Sequence, residues 1–193
     1  MKPTDSFFPP RPTTLAHDLL EKIISEGDTV VDATAGNGHD TLFLAKHVGE
    51  SGMVHAFDIQ PEAIESAQTR IHDAEYSSRV QFHNESHTRM QFHLIEESAS
   101  VVMFNLGYLP GGDHALTTIG NETLAALEAA TVVLKYGGVL SVICYPGHDD
   151  GSDEAVVVEN WMERLTENGW RVARYQSVGT RKPSPFLLIA MKA

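Results

Sequence analysis

The chain has 193 residues, with 14 Lys+Arg against 26 Asp+Glu for a formal net charge of −12. That length suits one domain with a full core, and 42% hydrophobic against 21% charged residues excludes a disordered chain. No apolar run reaches the roughly 20 residues of a membrane span, and MKPTDSFFPPRP lacks the apolar stretch of a secretory signal, so a cytoplasmic protein is expected. Cys144 is the only cysteine, which excludes an internal disulfide and a cysteine-built zinc site.

Pro3, Pro9, Pro10 and Pro12 predict an extended arm over residues 1–12, followed by a single domain over 13–193. Thr13 or Thr14 then caps a helix whose stripe is Leu15, Leu19, Leu20, Ile23 and Ile24 and which stops at Gly27. Strand Thr29–Asp32 leads through a glycine turn to a helix from about Asp40 to Val48. Strand Met53–Phe57 precedes a helix from Pro61 to about Ala74, with proline at its favoured first turn. Val80–His83 is a third strand and Val101–Phe104 a fourth. Residues 121–135 form a helix, Val139–Tyr145 a fifth strand, and Glu154–Glu167 a helix closing at Asn168-Gly169. Trp170–Gln176 and Pro185–Met191 are two last strands with no helix between them. Alternating strands and helices predict a mostly parallel sheet covered on both faces. The last two strands lack a crossover, so they pair antiparallel. This α/β pattern of seven strands resembles the Rossmann-like fold of class I methyltransferases.

The most informative segment is Val30-Val-Asp-Ala-Thr34-Ala-Gly36-Asn37-Gly38-His-Asp40-Thr41. A glycine-bearing turn at the carboxyl edge of a sheet lets backbone approach a ligand closely. A dinucleotide fingerprint needs a third glycine, and Thr41 stands there. Asp32 and Asp40 flank the turn; they repel a pyrophosphate and suit a ligand carrying a sulfonium and an ammonium, such as S-adenosylmethionine. Taken singly, Asp32 also reads as a turn cap and Asp40 as a helix N-cap. Asp58, twenty positions beyond Gly38, is placed to reach ribose hydroxyls, with Gln60 a second polar contact. Ser86 and His87 follow the third strand, where an adenine amine is read. His83 and His87 are four apart, but they straddle a strand end rather than share a helix face, so no metal site is expected.

After the fourth strand comes Phe104-Asn105-Leu-Gly-Tyr108-Leu109-Pro110-Gly111-Gly112-Asp113-His114. Amine and amide methyltransferases often carry Asn/Asp-Pro-Pro-Tyr/Phe here, a pattern to which Asn105 and Tyr108 are related. Asn105 then orients a nucleophilic nitrogen, Tyr108 packs on a planar substrate, and Asp113 or His114 accepts a proton from the amine. Cys144, at the end of strand five, also occupies the place of a nucleophilic cysteine in some RNA methyltransferases. Their Pro-Cys pair after strand four is absent, which favours a buried, inert thiol.

Asp-Ala-Thr-x-Gly-Asn-Gly-His-Asp-Thr, Phe-Asp-Ile-Gln, Asn-Leu-Gly-Tyr-Leu-Pro-Gly-Gly-Asp and Tyr-x-Gly-His together resemble the small family labelled "putative rRNA methylase", with its MnmM-like tRNA methyltransferases, from about residue 13 onward. The resemblance implies N-methylation of 5-aminomethyl-2-thiouridine at the tRNA wobble position, and a homodimer. It implies cofactor contacts at Asn37, Asp40, Asp58, Gln60 and His87, with the Asn105–Asp113 loop facing the base. His114 stands where the family pattern has Lys, and Lys182-Pro-Ser-Pro-Phe186 departs from Asn-x-Pro-Pro-Phe. Residues 149–163 carry six acids and no Lys or Arg, whereas residues 164–193 carry six Lys/Arg and one acid. Such asymmetry permits a local basic face for an anticodon stem-loop despite the net charge, with Arg181, Lys182 and His148 as candidate contacts. Methylation of rRNA or of a small-molecule amine, and nicotinamide binding, are the competing readings.

Overall fold

A computed structural model describes residues 9–107, 120–147 and 151–193. In chain order the elements are α1 (Pro12–Leu20), β1 (Thr29–Asp32), α2 (His39–His47), β2 (Met53–Phe57), α3 (Pro61–Asp73), β3 (Val80–His83), β4 (Ala99–Leu106), α4 (Gly120–Val133), β5 (Leu134–Cys144), α5 (Gly151–Leu165), β6 (Arg171–Gln176) and β7 (Phe186–Met191). Short 3-10 turns at 77–79, 87–92 and 166–168 complete the set among the described residues.

The strands form one seven-stranded sheet in the order β3-β2-β1-β4-β5-β7-β6. The first five run parallel; β7 pairs antiparallel with both β5 and β6. The fold is therefore the expected class I methyltransferase architecture. Parallel strands covered on both faces need continuous apolar runs, and β4 supplies one: all its residues but Asn105 are buried. One face packs Leu20, Leu44, Ile71 and Met103 with α1 to α3. The other packs Phe104, Leu127, Leu140 and Met162 with α4 and α5. Each such large side chain stabilises the fold by about 1.5–3 kcal/mol relative to its exposed state. The edge strand β6 is largely exposed and carries Arg171 and Arg174, charges that discourage edge-to-edge pairing. Among the described residues no helix is long and apolar enough to cross a membrane.

Several boundaries differ from expectation, and four have a plain physical reason or bear on the site. The first helix starts one turn-position early, at Pro12 with Arg11 as N-cap, because proline lacks an N–H that the first turn leaves unpaired anyway. It stops at Leu20, and the chain tightens through Lys22 N–H to Leu19 O and Ile23 N–H to Leu20 O, so Gly27 is no helix terminus. β4 extends to Leu106, which puts Asn105 inside the strand rather than in the loop beyond it. β5 begins at Leu134, where the expected helix continued to 135, because Leu134 already pairs with Ala99.

Candidate active site

The turn after β1 is held from both sides by carboxylates. Asp32 is fully buried; its Oδ1 accepts from the Thr34 N–H at 3.1 Å and its Oδ2 from the Thr41 hydroxyl at 2.6 Å. Asp58 Oδ2 accepts the Gly36 N–H at 2.9 Å and its Oδ1 the Gln60 N–H at 3.0 Å, which ties the turn to the end of β2. Gly36 and Gly38 have φ of +49° and +75°, and a Cβ on Gly38 would lie 2.8 Å from the Ala67 Cα. Only glycine permits that approach of the turn to α3. Gly38 is also the N-cap of α2, so Asp40 is not a helix cap. Asn37 faces α3: its carbonyl accepts from Arg70 Nε at 2.6 Å and its Oδ1 from the Ser66 hydroxyl at 3.2 Å.

Burial first, and then the charge of Asp40, push the Asp32 carboxyl up, with a smaller push from Asp58. Asp40 and Asp58 thus set a negative field around a turn whose backbone is open to close approach, with the buried Asp32 carboxyl holding the turn behind them. That donor set fits a cationic ligand with a ribose and repels a pyrophosphate, so S-adenosylmethionine matches it better than a dinucleotide does.

On the far side, Ser86 caps the 87–92 turn, its Oγ accepting from the Thr88 N–H at 3.3 Å. His87 Nδ1 lies 2.9 Å from the Ala33 carbonyl, which can only accept, so Nδ1 carries the proton and donates. Burial holds the ring below its ordinary pKa, and the neutral Nε2 is left an acceptor for an amino group such as that of adenine.

At the β1/β4 junction the turn after β1, β4, α1, α2 and the end of β5 converge. The Asn105 N–H donates to Thr34 Oγ1 at 2.8 Å, and Asn105 Nδ2 donates to Asp40 Oδ2 at 3.2 Å. The other oxygen, Asp40 Oδ1, meets His17 Nε2 at 2.7 Å. His17 stacks flat on Phe43 with centroids 4.0 Å apart. Tyr145 packs over Gly107, next to the Asn105 side chain. Burial raises the Tyr145 phenol, and Asp40 adds to the shift. Thr34, Asp40 and Asn105, each singled out from the sequence, are therefore brought together. His17 and Tyr145 were missed. Tyr145 had a signal, since it opens the Tyr-Pro-Gly segment after β5; His17 had none, because it lies 23 residues from its partner on a different helix.

Arg181 and Lys182 are exposed on the β6–β7 loop. The Pro183 carbonyl would lie 3.2 Å from a Cβ on Gly147, so this loop sits at the carboxyl end of β5. Arg174 pairs with Glu159 at 2.9 Å, and Lys192 with Glu97 at 3.3 Å, which takes these two cations into the fold. Cys144 is buried mid-sheet and its thiol is pushed up to about 12, chiefly by burial, so no thiolate nucleophile forms near neutral pH. Tyr108, Leu109, Pro110, Gly111, Gly112, Asp113, His114 and His148 lie outside the described residues.

Residues 54–191 match the family model described as "Putative rRNA methylase". The chloroplastic "tRNA (mnm(5)s(2)U34)-methyltransferase" of Arabidopsis thaliana is 40% identical over 190 residues, 93% of this chain and 69% of the relative. A crystal structure of a "putative rRNA-methylase" from Clostridium thermocellum superposes with a TM-score of 0.92 at 36% identity, covering 95% of this chain and 98% of that one. A "putative methyltransferase" from Streptococcus mutans in complex with SAH gives 0.86 at 30% identity, covering 95% and 99%. With the glycine turn, its carboxylates and the seven-stranded order already in place, these matches assign the chain to the "Putative rRNA methylase" family, as an S-adenosylmethionine-dependent methyltransferase.

Proposed function

We propose that the enzyme methylates the aminomethyl nitrogen of 5-aminomethyl-2-thiouridine at tRNA position 34, giving 5-methylaminomethyl-2-thiouridine. The observation that carries this reading is the 40% identity, over 93% of the chain, to a tRNA methyltransferase named for that modification. The Asn105–Asp40–His17 array supports it, because it sets a polar, hydrogen-bonding floor where an amine rather than a carbon nucleophile is wanted.

S-adenosylmethionine supplies a methyl group on a sulfonium sulfur. In this reading Asp58 and Gln60 take the ribose, Ser86 and His87 the adenine, and the 34–41 turn, with Asp32, Thr34, Gly36, Asn37, Gly38, Asp40 and Thr41, frames the charged end. Asn105 spends its Nδ2 on Asp40, so its carboxamide oxygen accepts an N–H of the substrate amine and aims the lone pair. The N–C bond forms as the C–S bond breaks, with the electron pair staying on sulfur. Before this attack Asp113 accepts a proton from the substrate ammonium, which frees the nitrogen lone pair. Tyr145 and His17 hold Asn105 and Asp40 in register. Arg181 and Lys182 offer phosphate contacts for the anticodon stem-loop, and a homodimer is the working form.

The test incubates the purified protein and labelled S-adenosylmethionine with total tRNA from a strain lacking the gene, followed by nucleoside mass spectrometry. A methylaminomethyl-thiouridine peak that grows as the aminomethyl precursor disappears is expected, with Asp113→Ala slowed at least tenfold. Tight cofactor binding without label in tRNA would overturn the substrate and turn the search to rRNA and small amines.

A further inference from the structure

His83 and His87, four residues apart and not expected to share a metal, turn to different partners in the fold. His87 turns to the Ala33 carbonyl, whereas His83 meets Glu85 and His93. One ligand atom from each of His83, Glu85 and His93 lies within 4.8 Å of the other two. His93 Nε2 and Glu85 Oε1 are 2.6 Å apart, and the His83 and His93 ring centroids 4.2 Å.

Two of the three side chains, His83 and Glu85, are also oriented from behind, as metal ligands are. Phe57 stacks on the His83 ring at 4.4 Å, and His55 Nδ1 holds His83 Nε2 at 3.1 Å. Arg89 Nε donates to Glu85 Oε2 at 2.6 Å, which leaves Oε1 as the oxygen facing His93. Such outer partners fix ring rotation and carboxylate orientation around a metal. Tetrahedral zinc with bonds of about 2.0–2.1 Å sets its donor atoms about 3.3–3.4 Å apart, so small rotamer adjustments bring this triad onto one ion.

We propose that His83, Glu85 and His93 bind one divalent transition-metal ion, Zn2+ in the first instance, with a fourth position left to water. Two imidazoles and one carboxylate are a borderline-soft set that favours zinc over magnesium or calcium. The ion ties the end of β3 to His93 and so closes the segment that carries Ser86 and His87. Its role is structural: a clasp on the loop beside the turn, independent of whether tRNA is the substrate.

The experiment is titration calorimetry of metal-stripped protein with Zn2+ alone, and with Co2+ read by its visible d–d absorption. Wild type is expected to bind one equivalent and to gain thermal stability with added Zn2+. His93→Ala and Glu85→Gln alter partly exposed side chains, so they leave the fold intact by circular dichroism. Each is expected to weaken binding at least tenfold and to abolish the Co2+ bands, while exposed His72→Ala changes neither. Absence of stoichiometric binding, or equal affinity in His93→Ala and Glu85→Gln, would overturn the site.

Discussion

Gly38 and Gly137 share a φ of +75°, yet their surroundings differ completely. A Cβ on Gly137 would meet nothing within 4 Å, while one on Gly38 would lie 2.8 Å from the Ala67 Cα and 3.0 Å from its Cβ. Alanine at either position incurs the left-handed backbone penalty of about 1–2 kcal/mol. A stiffer unfolded chain returns about 0.4–1 kcal/mol of it, so Gly137→Ala should destabilise by roughly 1 kcal/mol. Gly38→Ala adds an overlap with helix backbone that cannot rotate away, and forced overpacking costs about 1–3 kcal/mol. The expected loss is then about 2–4 kcal/mol, a fall in Tm of roughly 4–16 °C for a chain of this length. Urea unfolding of both variants isolates the contact, because the backbone term is common to the pair. Adding Ala67→Gly to Gly38→Ala should recover only part of the loss, since the Cα overlap stays. Equal midpoints for Gly38→Ala and Gly137→Ala would refute the close approach of the turn to α3.

Two further predictions rest on charge. His55 and His83 are held down to about 4, chiefly by burial, against an ordinary 6.5. Their folded pKa values lie below the unfolded ones, so the unfolded chain binds more protons between pH 6.5 and 4, and stability falls as pH falls through that window. Asp32, pushed up to about 7, acts in the opposite direction, so the comparison is with His55→Phe. In metal-stripped protein, the stability lost between pH 7 and 5 should shrink by about 2 kcal/mol in that variant; an unchanged pH slope would contradict a neutral His55. Asp58→Ala removes the acceptor for two backbone N–H groups of the ligand edge as well as the proposed ribose contact. SAH affinity by calorimetry should drop at least tenfold, and an unaltered affinity would remove Asp58 from the cofactor site.

Much of the fold is written in local pattern. Four apolar or β-branched residues at a time, punctuated by Gly and by Pro61 at a helix start, place strands and helices because side-chain periodicity and backbone preference act within a few residues. The missing crossover between the last two strands forces their antiparallel pairing for the same local reason. The glycine turn and its flanking acids are contiguous, so their preference for a cationic ligand is legible without coordinates. Helix ends are less so: α1 stops at Leu20 although the apolar stripe continues to Ile24, because the tertiary position of β1 requires the chain to turn there.

The site itself belongs to the tertiary structure. Strand order places β1 beside β4, and that junction sets Asn105 against Thr34 and Asp40 across 71 and 65 residues. Helix α1 then lays His17 on Asp40, and the end of β5 brings the Tyr145 ring over Gly107. His83, Glu85 and His93 meet only because the 87–92 turn folds back on the end of β3. Sequence determined the elements and the kind of ligand their turn admits, since those depend on neighbours along the chain. Which distant polar side chains share a hydrogen bond was decided by sheet order and helix packing, which no short-range pattern encodes.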